Sequence, residues 1–210
     1  MNSNIFKRLL SSLILFPLSF YLIFEGGYLF NFFLIFCLLV SCFEWNKMVS
    51  SNIIRILGFI FILVSFLSTY KMRIIYSDEN IFEFFILILI CAFTDIGGFI
   101  FGKIIKGPKL TKISPNKTYS GVIGGLFFSI SIVYLYSLLS KKFLFTEIGL
   151  IYIIFVSIIS QLGDLVISYF KRLSNLKDTG NIIPGHGGIL DRIDGMIFVF
   201  PIIYLYHFLK

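Results

Sequence analysis

Residues 148–195 read "IGLIYIIFVSIISQLGDLVISYFKRLSNLKDTGNIIPGHGGILDRIDG". From Ile148 to Phe170 the run is almost wholly apolar, and as a helix rising 1.5 Å per residue it is long enough to cross a hydrocarbon layer of roughly 30 Å. The character then reverses: Lys171, Arg172, Lys177, Asp178, His186, Asp191, Arg192 and Asp194 follow before the next apolar run opens at Met196. A solvated linker between two spans would account for those charges. It would not account for Asp164, a carboxylate inside the apolar run. On a membrane-insertion scale such an acid at mid-helix costs about 2.5–3.5 kcal/mol. The fourteen Ile, Leu, Val and Phe residues between Ile148 and Phe170 return roughly 4–8 kcal/mol on the same scale. The helix therefore inserts, and Asp164 needs a partner.

The rest of the chain extends this pattern. Hydrophobic residues make up 58% and charged residues only 14% of its 210 positions, and its mean hydropathy is +0.95; ordinary soluble domains are excluded. Apolar runs near 9–24, 28–43, 53–70, 81–102, 119–139, 148–170 and 190–209 predict an all-α, polytopic integral membrane protein of about seven transmembrane helices. Residues 1–80 form an N-terminal group of helices, and 81–210 a C-terminal region with polar loops at 103–118 and 171–189. The opening "MNSNIFKRLLSSLILFPLSFYLIF" has the basic-then-apolar order of a signal peptide. It lacks an evident small-residue cleavage site and is read as a retained first helix. Cys37, Cys42 and Cys91 all sit in apolar runs without paired spacing and read as core residues.

The net charge of +7 has an address. With the N-terminus cytoplasmic, 13 of the 18 Lys and Arg residues fall on inside ends and loops; Lys71, Arg73, Lys141, Lys142 and Lys210 fall outside. The positive-inside rule thus predicts N-in, C-out, with both long polar loops on the cytoplasmic side and no nucleic-acid partner. The expected location is the inner (cytoplasmic) membrane of the cell, as an integral multi-pass protein.

Polar groups inside the spans gather on one face. Ser157, Gln161, Asp164, Ser168 and Lys171 follow at steps of four, three, four and three, a single helical stripe. Asp95, in "CAFTDIGGFIFGK", is a second intramembrane acid, beside small residues that let helices approach closely. Asp191 and Asp194 share a face at the start of the last helix. Acids complementing a helix dipole would explain Asp191 but not Asp164, whereas a divalent cation held by Asp164 and Asp191 neutralises both. Oxygen-only ligands favour magnesium over zinc. Gly185, Gly187 and Gly188 let backbone amides approach an anion, and Lys171, Arg172, Lys177 and Arg192 surround them with positive charge. Phosphate is the ligand that uses acids, glycines and cations together. His186 either bonds a phosphate or ties down the turn, while His207, alone in an apolar helix, reads as structural. The lysines of "GKIIKGPKLTKISPNKTYSG" at 102–121 serve either topology or phosphate.

The stretch Ser168–Asp194 closely resembles the signature of the phosphatidate cytidylyltransferases, also called CDP-diacylglycerol synthases. Ser168, Lys171, Arg172, Lys177, Asp178, Gly180, Pro184, His186, Gly187, Gly188, Asp191, Arg192 and Asp194 match that pattern. "SQLGDL" at 160–165 resembles its lead-in, "SPNKTYSG" at 114–121 its Ser-Pro-x-Lys-Thr loop, and "TDIGGFIFGK" at 94–103 is a looser relative of a further segment. The sequence departs at Ser120 and Ile167, where Glu is usual, and at Gly98-Phe99, where Ala-Tyr is usual; it is also shorter than typical members.

The resemblance implies that CTP and phosphatidate give CDP-diacylglycerol and pyrophosphate with Mg2+, a second cation and a homodimer being further features it would allow. It implies metal binding by Asp164, Asp191, Asp194 and Ser168. Lys171, Arg172, Lys177, Asp178, His186 and Arg192 complete the catalytic set, and Ser114, Lys117, Thr118, Gly187, Gly188 and Ser168 bind substrate. A transporter built on the same intramembrane acids leaves "PGHGG" beside four cations without a role. A CDP-alcohol phosphotransferase would need Ala-Arg after Asp-Gly, where this chain has "MIFVFPI" after Asp194-Gly195.

Overall fold

A computed structural model describes residues 3–76, 80–111, 114, 117–140 and 147–209. Lys112, Pro115, Lys141, Lys142 and Lys210, used above for orientation and for the lysine loop, lie outside the described residues, as do the side chains of Lys7 and Arg8. The described residues form α1 (Ser3–Glu25), α2 (Gly27–Met48), α3 (Asn52–Ile75), α4 (Ile81–Ile104), α5 (Tyr119–Ser140), α6 (Glu147–Leu173), α7 (Leu190–Ile193) and α8 (Met196–Leu209). No strand occurs among them, only isolated antiparallel bridges at Lys109–Thr118 and Ile183–Gly187.

Five helices, α2 to α6, have the length and apolarity to cross a bilayer. The apolar part of α1, Leu13–Glu25, and α8 are shorter. The chain is a multi-pass membrane protein on this composition. The final run, expected as one helix over 190–209, is instead divided into α7 and α8. The cause is local: the Asp194 carboxylate accepts the Gly195 N–H at 2.9 Å, taking the donor that a continuous helix would send back to Asp191. A fresh set of bonds then starts from the Gly195 carbonyl, which receives Phe198 and Val199.

Packing groups the chain differently from chain order, into a unit of Met1–Ile75 with Phe170–Lys210 and a unit of Tyr76–Tyr169. In the first, α8 lies on α3: Ser65 Oγ donates to Ile197 O at 2.6 Å and the Phe61 and Phe198 rings stand 4.6 Å apart. Trp45 joins α2 to α3 by filling the space over Gly58, where an added Cβ would lie 2.0 Å from the indole. Its Nε1 donates to Arg55 O at 3.2 Å, and its ring meets Phe170 edge-on at 4.9 Å. The α1–α2 corner turns at Gly26, whose φ of +69° suits glycine. Buried Arg73 closes that corner, donating to Ile23 O at 2.9 Å and Phe24 O at 3.1 Å.

In the second unit, α4 and α5 pack through small residues. A Cβ on Gly97 would lie 2.5 Å from Gly124 O, and one on Gly124 2.3 Å from Phe101 Cβ. α6 joins them through polar contacts: Thr94 Oγ1 and Ser157 Oγ are 2.8 Å apart, and Gln161 Nε2 donates to Val122 O at 3.5 Å. Two of the five stripe residues on α6, Ser157 and Gln161, are thereby accounted for by interhelical bonding. Gly98 is roomier, since its added Cβ would meet Gly121 O at an ordinary 3.6 Å, so alanine fits there. Gly124→Ala should therefore cost roughly 1–3 kcal/mol of stability, while Gly98→Ala should stay within about 0.5 kcal/mol of wild type. Thermal unfolding in detergent checks the contrast.

Candidate active site

Two polar clusters lie along and beyond α6, one in each unit. In the second unit, Asp164 finds its partner in the lysine loop. Lys117 Nζ forms an ion pair with Asp164 Oδ2, and Ser168 Oγ, one turn along α6, donates to Oδ1 at 3.2 Å. The loop is held in shape by backbone bonds: Leu110 N to Lys117 O at 2.8 Å, Tyr119 N to Pro108 O at 3.2 Å and Lys117 N to Ser114 O at 3.0 Å. Ser114 N in turn donates to Thr111 Oγ1 at 3.2 Å. Thr118 caps α5, its Oγ1 accepting the Gly121 N–H at 3.1 Å. Ser120, where glutamate was the expected residue, bonds Thr118 Oγ1 at 2.9 Å and also donates to Lys106 O. Ile167 is buried, and Asp95, on α4, is exposed.

The first unit holds the second cluster. α6 ends in a Schellman turn: Asn175 takes φ +55°, Leu176 N donates to Lys171 O at 2.8 Å, and Asn175 N to Arg172 O at 3.1 Å. Arg172 clamps the turn through Leu176 O at 2.8 Å. This termination fixes the base of Lys171, whose Nζ donates to Asp191 Oδ1 at 2.7 Å. The other Asp191 oxygen accepts Thr179 N at 2.7 Å, Thr179 Oγ1 at 3.0 Å and Gly188 N at 3.0 Å. "PGHGG" is a tight turn, with His186 N bonded to Ile183 O at 3.0 Å and Ile183 N to Gly187 O at 2.9 Å. Gly187 has φ +87°, and a Cβ there would press within 2.8 Å of Asp191 Oδ2. Glycine is needed at this point on both counts. Arg192 holds the turn from outside, donating through Nη2 to His186 O at 2.6 Å.

The predicted residues are thus divided. Asp164, Ser168, Lys117 and Thr118 come together in one cluster; Lys171, Gly187, Gly188 and Asp191 come together in the other. Lys177 and Asp178 are exposed beside the second cluster. Asp194 is buried and engaged with Gly195, one turn beyond Asp191. His186 contributes to the turn: its Nδ1 lies 2.8 Å from Ser11 Oγ, which also donates to Pro184 O at 3.1 Å. The Gly188 amide, expected as an anion donor, is spent on Asp191.

Sequence reasoning missed Glu44. This α2 residue is 1% exposed and accepts Thr179 Oγ1 at 2.9 Å, Ile189 N at 3.0 Å and Leu190 N at 2.8 Å. In the sequence it stands at the edge of an apolar run, in "CFEWNK", where an acid looks like a solvated helix end. Nothing in one sequence ties it to a threonine 135 positions away.

Among the described residues no group of three or more His, Cys, Asp or Glu side chains assembles as a metal cage. The two carboxylates on or near α6 instead each carry a lysine. Burial alone would raise the Asp191 carboxyl, but the Lys171 bond and charge and the Gly188 and Thr179 amides outweigh it and hold the group below its ordinary 3.8.

A family model described as "Cytidylyltransferase family" matches residues 53–210. A protein of Rickettsia bellii named "Phosphatidate cytidylyltransferase" is 36% identical over 96% of this chain and 90% of its own length. One of Rickettsia conorii with the same name is 36% identical over 97% and 91%. A Staphylococcus aureus protein, again so named, is 41% identical over 67% of this chain and 53% of its own length. The chain belongs to the cytidylyltransferase family.

Because the folded Asp191 carboxyl is the stronger acid, its contribution to stability is complete above the unfolded value of 3.8 and is lost as pH falls below it through the folded value. The thermal midpoint of the wild type should fall in that acid range, and Asp191→Asn should lack this component of the fall.

Proposed function

We propose that the chain is a phosphatidate cytidylyltransferase, forming CDP-diacylglycerol and pyrophosphate from CTP and phosphatidate in phospholipid biosynthesis. The observation that carries this reading is the pair of lysine-bound carboxylates, Lys117–Asp164 and Lys171–Asp191, in a chain whose near-full-length relatives bear that name. The orientation is N-in and C-out in the inner membrane, with both polar loops facing cytoplasmic CTP. A homodimer accords with the same reading.

The chemistry asks little of a base. An oxygen of the phosphatidate phosphate, already anionic, attacks the α-phosphorus of CTP; the bond from that phosphorus to the bridging oxygen breaks, and pyrophosphate leaves with the electron pair. The obstacle is bringing two polyanions together, so positioning and charge neutralisation dominate. Lys117 and Lys171 each hold a carboxylate that a phosphate can replace. Arg172, Lys177 and Arg192 add positive charge beside the "PGHGG" turn, with Asp178 and His186 at its rim and Ser114 and Thr118 on the lysine loop.

The donor set suits a magnesium ion. Among the described residues Asp164 accepts one bond from Ser168 and one ion pair, and Asp191 Oδ1 accepts Lys171, so hard oxygen lone pairs remain on both. Asp164 with Ser168 in one unit, and Asp191 with Asp194 in the other, are the residues that would each offer oxygens to such an ion, one cation or two. When bound, the ion would neutralise charge on the triphosphate.

Purified protein in detergent or bilayers should form CDP-diacylglycerol from CTP and phosphatidate, with activity lost on chelation and restored by magnesium. Asp191→Asn should reduce turnover at least about a hundredfold; near-full turnover would remove Asp191 from the site. Lys117→Ala should leave folding intact and raise the KM for CTP about tenfold, the order expected for a charged hydrogen bond. Unaltered kinetics would reduce that loop to an orientation signal.

A further inference from the structure

Glu44 is buried in α2 and its three donors are all neutral: the Thr179 hydroxyl and the backbone amides of Ile189 and Leu190. The amides are divided between its oxygens, Ile189 on Oε1 and Leu190 on Oε2. A glutamine here would turn its NH2 toward one amide or the other, whichever way it were flipped. Only a carboxyl group of this length satisfies both.

The loop is also shaped around this side chain. A Cβ on Gly180 would lie 2.7 Å from Glu44 Oε1, and one on Gly188 2.4 Å from Oε2. Thr179 then links two carboxylates through one hydroxyl, 2.9 Å from Glu44 and 3.0 Å from Asp191. Glu44 thus bears on both flanks of the turn, Thr179–Gly180 before it and Gly188–Leu190 after it. Space-filling needs none of this, since leucine would occupy the same volume.

We propose that Glu44 is a positioning residue for nucleotide binding: it holds the Thr179–Leu190 loop, and through Thr179 the Asp191 carboxylate, in the arrangement that receives the triphosphate of CTP. The inference rests on the cytidylyltransferase reading. It concerns a residue outside the cationic stretch, acting on substrate only through the loop.

The test compares full-length wild type and Glu44→Gln in one detergent, by thermal midpoint, by KM and kcat for CTP with phosphatidate in mixed micelles, and by equilibrium CTP binding. The expected result is a cooperatively folded variant whose KM and Kd for CTP rise at least about tenfold. A merely structural role would lower kcat in step with the folded fraction and leave KM unchanged, and that result overturns the proposal. Should Glu44→Gln not fold, Thr179→Val removes the hydroxyl link and keeps both amide bonds. Its KM should rise severalfold, and a wild-type KM there is equally contrary. Active wild type with unchanged KM in the variants defeats the inference alone; wild type that neither turns over nor binds CTP defeats the functional reading as well.

Discussion

The Asp191 carboxylate is the constraint on which the cationic loop depends. It draws Lys171 from the end of α6, Thr179 from the start of the loop and Gly188 from its end onto two oxygen atoms. Its side chain is 4% exposed, so those donors must replace the water it gave up. The sixteen-residue excursion between α6 and α7, rich in glycine and charge, would otherwise have little to hold it. The Schellman turn at Asn175 and the glycines of the "PGHGG" turn bring the chain close enough for one carboxylate to close the excursion.

The same logic applies inside the apolar part of α6. Asp164 is tolerated on hydrophobic arithmetic alone, but a carboxylate in a span still requires compensation. Lys117 supplies it from a loop kept in place by the Thr118 cap and the short backbone bridge to Lys109. Both carboxylates therefore rest against lysines, groups that a phosphate can engage in their place. On the proposed reading, each lysine would exchange its carboxylate for a phosphate when a polyanion arrives, at little cost in net charge.

Much of this was legible in the sequence because it depends on local pattern. The apolar runs located α2 to α6, and steps of three and four placed Ser157, Gln161, Asp164, Ser168 and Lys171 on one stripe. The small residues around Gly97 signalled close packing. Long-range pairing was not legible. Asp164 was seen to need a partner, yet hydropathy could not single out Lys117 among the lysines of its loop. Glu44 was hidden because an acid at a span edge usually meets water. The break at Asp194-Gly195 was missed because a side chain taking one backbone donor leaves no mark on apolar periodicity. Ile167, buried where glutamate was expected, gives that family position no polar contact in this chain.

The most direct test follows the label from CTP carrying phosphorus tracer at either the α or the γ position, supplied with phosphatidate to the purified protein. Cytidylyl transfer predicts that the α label enters the lipid product together with cytidine, while the γ label is released as pyrophosphate. Appearance of the γ label in lipid would identify a kinase, and absence of the α label from lipid would contradict the account.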